Sequence, residues 1–207
     1  MIKKLLFILV VVLLFESCGT RVITRKYYIL DFPADSDTVS VEQPITSAVC
    51  EIISVTMPPA YGQNRIAVRR RSHEISYYQY HHWAMDPGEI LTNLIEKKVQ
   101  NAALFSQTSR FVWKVIPEYQ IMSAVHHLEA VDKDGFYAHL KMRLELYERE
   151  EKRVIVAHEF DRSEILSERD INLFAASISE ILQQELMLFV GKMRDHFIAK
   201  TVTNSSR

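Results

Sequence analysis

The chain has 207 residues, of which 48% are hydrophobic, and a formal net charge of −1. That length suits one domain, or at most two small ones, and the apolar content is ample for a core. The near-zero charge excludes a global basic field that would steer the protein to nucleic acid, and with only 5 glycines no phosphate-cradling loop is legible.

Lys3 and Lys4 precede an uncharged apolar run from Leu5 to Phe15. A spanning helix needs about 20 apolar residues, so this shorter run reads as the hydrophobic region of a signal peptide. Ser17, Cys18 and Gly19 follow it. The arrangement resembles the lipobox of bacterial lipoproteins, with Phe15 in the usual Leu place and Glu16 in a place usually held by a small residue. The resemblance implies cleavage before Cys18, an S-diacylglycerol on its thiol and an N-acyl chain on its new amino group. No other cofactor is expected. The chain then divides into a signal peptide (1–17), a lipidated tether (18–26), one domain (27–200) and a disordered tail (201–207). With Cys18 acylated, Cys50 has no intrachain partner, and its setting in AVCEIISV reads as a small buried hydrophobe on a strand.

YYILDF (27–32) reads as a first strand and 34–47 as a polar loop. AVCEIISVTM (48–57) is a second strand, stopped by Pro58 and Pro59. Residues 66–83 form a hairpin that turns near Ser72 to Glu74. Asp86 is an N-cap with Pro87 at the first helical position, and the apolar spacing predicts a helix over 87–104. FVWKVI (111–116) reads as a strand, and YQIMSAVHHLEAV (119–131) as the next. The 133–135 turn offers Gly135 for positive φ.

FYAHLKMRLELYE carries the clearest pattern in the chain. Ala138, Leu140, Met142, Leu144 and Leu146 alternate with His139, Lys141, Arg143 and Glu145, which predicts one face on a core and one in water. A charged turn (148–152) leads to a strand over 153–160. Ile171, Phe174, Ile178, Ile181, Leu182, Leu186, Phe189 and Met193 form the apolar stripe of a helix over 170–197, whose far end is placed to project or to meet a partner. The fold class is α+β: a mostly antiparallel sheet with two main helices packed on one face.

The eight histidines invite a metal reading. His81-His82 and His126-His127 are adjacent pairs, and strand alternation sends their members to opposite faces, so no metal site is expected. There is no HExxH, CxxC or GxSxG motif, and no nucleophile–base–orienter set, so no enzyme is expected either. Arg69-Arg70-Arg71 is a basic run suited to a solvated edge or to an acidic partner. Tyr77, Tyr78, Tyr80 and Trp83 form a dense aromatic series suited to a core or to an interface. Arg69, Arg71, Tyr77, Tyr78 and Tyr80 are the partner-binding candidates, since Tyr and Arg are typical of interface hot spots. Trp83 and Pro87 are read as a structural joint between strand and helix.

Taken in order, these pieces resemble the ABC-type transport auxiliary lipoproteins, a family that includes the Pqi-type lipoproteins. They are Tyr27, Tyr28 and Leu30 after the anchor; Pro58 and Pro59 ending a strand; Arg69 or Arg70; the Tyr-rich strand; Trp83; and a Pro87-led helix. The resemblance implies a non-catalytic component of an MCE-type (mammalian cell entry) lipid-transport system. In that role the chain docks the periplasmic MCE-domain protein and links it to the outer membrane. Gly19, rather than Asp, after the cysteine agrees with the outer membrane. Copies arranged in a ring on a symmetric MCE assembly are a further expectation. Two other classes stay open: a periplasmic lipid-binding carrier, which needs a cavity of about 300 Å³ or more, and an activator of an envelope enzyme.

Overall fold

A computed structural model describes residues 24–32, 43–112 and 115–205. Cys18, most of the tether and the end of the tail lie outside these residues.

The chain runs β1 (Lys26–Tyr28), β2 (Thr46–Ile52), β3 (Arg65–Arg71), β4 (Glu74–Trp83), α1 (Pro87–Asn101), β5 (Phe105–Ser109), β6 (Tyr119–Asp132), β7 (Phe136–Glu148), β8 (Arg153–Ile165) and α2 (Ile171–Ser205). The α+β class therefore holds. The sheet is mixed: its longest ladders are antiparallel, as expected, and shorter parallel ones join them. Pairs β3–β4, β6–β7 and β7–β8 are antiparallel, whereas β1–β4, β2–β5, β2–β6 and β3–β6 are parallel. The long antiparallel ladders are those the sequence pattern reveals. The parallel ones join segments distant in sequence, which a single sequence does not register.

Strand β6 is the branch point. Its whole length pairs with β7; its other edge is shared, with β2 at Cys50 to Ile52 and β3 at Val68 and Arg69. Both helices pack on one face. The predicted stripe of α2 is buried from Ile171 through Met193, against the equally buried Ala138, Leu140, Met142, Leu144 and Leu146 of β7. By length and composition Ile171–Thr203 could cross a membrane, but its apolar face is already covered by the sheet. Buried His158 of β8 meets Glu185 of α2 at 2.7 Å, with Lys192 Nζ 2.9 Å from the other ring nitrogen. This polar clamp fixes the helix along the strand.

Asp86 caps α1 as expected, accepting from the Gly88 and Glu89 amides at 2.8 and 3.2 Å. The helix stops at Asn101, and Ala103 adopts φ 48° to turn the chain into β5. The expected strand at 111–116 is corrected: the strand is Phe105–Ser109, and residues 111, 112 and 115–118 are not strand. FSQTS has a polar centre and lies at the end of the sheet, paired with β2 alone among the described strands, so it carries no apolar alternation. No described glycine has positive φ, so Gly135 does not use that freedom; Lys152 supplies it in the β7–β8 turn. Helix α2 continues to Ser205, into the stretch read as tail.

Candidate functional site

A β-bulge organises the outer face of the sheet. Along β6, Tyr119, Ile121, Ser123 and Val125 are buried, but after His126 the buried phase moves to Leu128 and Ala130. The register shows the same slip, with Val125 opposite Met142 but His127 opposite Lys141 and Leu128 opposite Leu140. An extra residue in one strand re-aims the side chains that follow it. Here the bulge keeps Leu128 and Ala130 in the core and turns His127 and Glu129 to the outer face, beside Lys141 and His139.

Glu129 becomes the hub of a polar cluster. Its side chain is 1% exposed. Arg69 of β3 donates to both carboxylate oxygens, Nε to Oε1 at 2.8 Å and a terminal nitrogen to Oε2 at 3.0 Å. The Tyr61 hydroxyl donates to Oε2 at 3.0 Å and lies 2.9 Å from His127 Nδ1. His139 Nδ1 stands 3.4 Å from Oε1, and its Nε2 is 2.8 Å from Asp161 of β8, which also meets Lys141 at 3.1 Å. Burial works to raise the Glu129 pKa, but hydrogen bonds from His139 and Arg69, with the guanidinium charge, outweigh it and hold the group at about 2. Contact with Glu129 raises the His139 pKa against the effect of burial. Burial pushes the Tyr61 hydroxyl up to about 12.

The partner-binding candidates do not form one uniform patch. Arg69 belongs to the Glu129 cluster, whereas Arg71 is 83% exposed and, among the described residues, pairs with Glu74 at 3.6 Å. Tyr77 is held by the 60–63 segment: its hydroxyl donates to the Ala60 carbonyl at 3.1 Å and accepts from Gln63 at 3.3 Å, while Arg65 lies over its ring. Tyr78 faces Arg70 and His81 instead, as alternation requires. Tyr80 is half-buried. Trp83 is 2% exposed with its ring 6.0 Å from Phe174 of α2, and Pro87 is buried at the head of α1. Cys50 is fully buried, and its thiol pKa is raised by desolvation. A surface groove of about 630 Å³ runs between Ile29, Phe32 and the Asn172 to Gln183 part of α2, with Asp31 and Glu180 in its wall.

Sequence reasoning missed Tyr61, Glu129 and Asp161. The usable signal was the phase slip in SAVHHLEA, where apolar residues change parity across the two histidines.

No curated protein sequence matches the chain. Its fold is similar to that of a Xanthomonas campestris protein assigned to DUF330, with 17% identity, 86% of this chain and 97% of that one covered, and a TM-score of 0.66. It is also similar to a hypothetical protein from Chlamydia trachomatis, with 9% identity, coverage of 74% and 99%, and a TM-score of 0.51. At these identities the likeness establishes the fold alone. The family model for the ABC-type transport auxiliary lipoprotein component matches residues 28–186, from β1 to the middle of α2. The chain therefore belongs to the ABC-type transport auxiliary lipoprotein family.

Proposed function

We propose that the protein is a non-catalytic, lipid-anchored adaptor that docks the periplasmic MCE-domain protein of an ABC lipid transporter and links it to the outer membrane. The observation that carries this reading is the family match over most of the folded chain, joined to a lipobox-like Cys18 ahead of it. The MCE partner rests on the resemblance traced through Tyr27, Pro58, Tyr77, Trp83 and Pro87. Several copies on one symmetric transporter belong to the same reading.

A binding role also agrees with the chemistry of the fold. The apolar faces of sheet and helices are used against each other, with Phe174, Ile178, Leu182 and Phe189 fully buried. The groove beside α2 has carboxylates in its wall, which suits a polar contact better than an acyl chain. Cys50 is shielded from substrate and is held as a thiol rather than as the nucleophilic thiolate.

The docking surface is proposed on the β3–β4 hairpin, around exposed Arg71 and half-buried Tyr80. A photo-crosslinking residue placed at Arg71 in the lipidated protein should capture the MCE-domain protein. The same residue placed at Lys133, in the β6–β7 turn, serves as the comparison. Capture from Lys133 but not from Arg71 would move the surface away from β3–β4.

A further inference from the structure

In the Glu129 cluster the two imidazoles stand farther from the carboxylate than Arg69 and Tyr61 do. Three ligand atoms, His127 Nδ1, His139 Nδ1 and a Glu129 oxygen, lie within 4.8 Å of one another. His139 Nδ1 is 3.4 Å and His127 Nδ1 is 3.5 Å from Glu129 Oε1. Charge-assisted hydrogen bonds are shorter, about 2.7–2.9 Å. Two ligands at about 2.0–2.1 Å from a tetrahedral ion, however, stand about 3.4 Å apart.

The lone pairs lead to the same place. An ionised carboxylate offers about four acceptor sites. Arg69 takes one on each Glu129 oxygen, and Tyr61 takes a second on Oε2. The fourth, on Oε1, faces the two imidazoles and is met by His139 Nδ1 only at 3.4 Å, long for a bond to a carboxylate. The rings stack at 5.0 Å with a 20° interplanar angle, an arrangement unfavourable to two imidazolium ions but compatible with two neutral ligands. Metal-binding histidines usually donate their second nitrogen to a carboxylate, which fixes ring and tautomer. Asp161 stands 2.8 Å from His139 Nε2 in that position, itself held by Lys141. The His127 side chain is 36% exposed, which gives an ion a way in.

We infer that His127, Glu129 and His139 form a binding site for a first-row divalent cation, zinc above all, on the outer face of the β6–β7 ladder. Two imidazoles and one carboxylate suit zinc; magnesium and calcium favour all-oxygen sets. The Tyr61 hydroxyl or a water completes the tetrahedron. Arg69 remains on the other side of the carboxylate, and its positive charge weakens the site for a cation. The ion would tie the 58–63 segment, β6, β7 and, through Asp161, β8 together. The inference departs from the sequence-based expectation of no metal, which weighed adjacent histidine pairs and the HExxH and CxxC motifs, and it is independent of the transport reading.

The test uses the full lipidated chain in detergent, stripped with a chelator and titrated calorimetrically with zinc chloride; cobalt(II) absorption reports the geometry. One equivalent should bind, with tetrahedral cobalt bands. His127→Gln and His139→Gln should each abolish saturable binding. Asp161→Asn, at a more exposed position, should weaken it about ten-fold, and His81→Gln with His82→Gln should leave it unchanged. Circular dichroism confirms that each variant is folded. No saturable binding to the native chain below millimolar zinc, or one equivalent retained in folded His127→Gln and His139→Gln, overturns the inference.

Discussion

Arg69 and Glu129 join β3 to β6 by a two-pronged ion pair, at 2.8 and 3.0 Å, across two strands that meet in only a short parallel ladder. The carboxylate is 1% exposed and the guanidinium 24%. Arg69 is thus part of the join between the two arms of the sheet. Arg69→Ala leaves a buried carboxylate short of its main donor and counter-charge, which costs more than the roughly 1–3 kcal/mol of a neutral group. Thermal or urea unfolding should register that loss. Arg71→Glu, on an exposed side chain of the same strand, should unfold with the native protein and is the cleaner probe of docking.

Trp83 ends the Tyr-rich strand β4 and packs towards α2, with Phe174 as its aromatic neighbour. Truncating a buried tryptophan to alanine costs about 3–5 kcal/mol, a large share of the roughly 5–15 kcal/mol that holds a typical domain. Trp83→Ala should therefore lower the yield of folded protein and its denaturation midpoint. Trp83→Phe should recover most of both. A variant that melts like the native chain but no longer supports transport would place Trp83 on a partner surface instead.

Stability should fall in acid partly through one pair at the far end of α2. Lys200 bonds Glu148 Oε1 at 2.8 Å, and Tyr119 adds a bond at 3.2 Å. The bond from Lys200 is the main reason that the Glu148 pKa is lowered. A depressed carboxylate contributes its stability in full above the unfolded glutamate pKa of about 4.3, and loses it as pH falls through the lower folded value. Glu148→Gln should therefore melt below the native chain at neutral pH, with the gap closing in acid. A gap that stays constant with pH would remove Glu148 from the account.

Where polar and apolar residues alternate without interruption, the sequence was enough. FYAHLKMRLELYE gave the bounds and inward face of β7, and the α2 stripe was legible residue by residue because each position repeats the same contact with the sheet. Asp86-Pro87 marked the start of α1 through local capping chemistry. The parallel pairings of β6 with β2 and β3 were not legible, since they join residues dozens of positions apart without a connecting turn. Nor was the Glu129 cluster, because a one-residue bulge at His126 reverses the faces that strict alternation assigns. Arg69 looked like a surface charge for the same reason: its partner is 60 residues away.

Cys18 carries the anchor in this account. The protein should leave the cell envelope when that thiol is lost. Several acyl chains hold a protein on a bilayer where one does so only marginally. Cys18→Ala should accumulate as uncleaved precursor or appear in the soluble fraction. Intact-mass measurement of the native chain should begin at an acylated Cys18. An unmodified Cys18 inside a longer mature chain would dismiss the lipoprotein reading.

The most direct measurement is mass spectrometry of what co-purifies with the lipidated chain after mild crosslinking in intact cells. The adaptor reading predicts an ABC permease, its ATPase and an MCE-domain protein, all lost with the soluble Cys18→Ala form. Recovery of a cell-wall synthase in their place, or of a stoichiometric phospholipid with no transporter subunit, would contradict it.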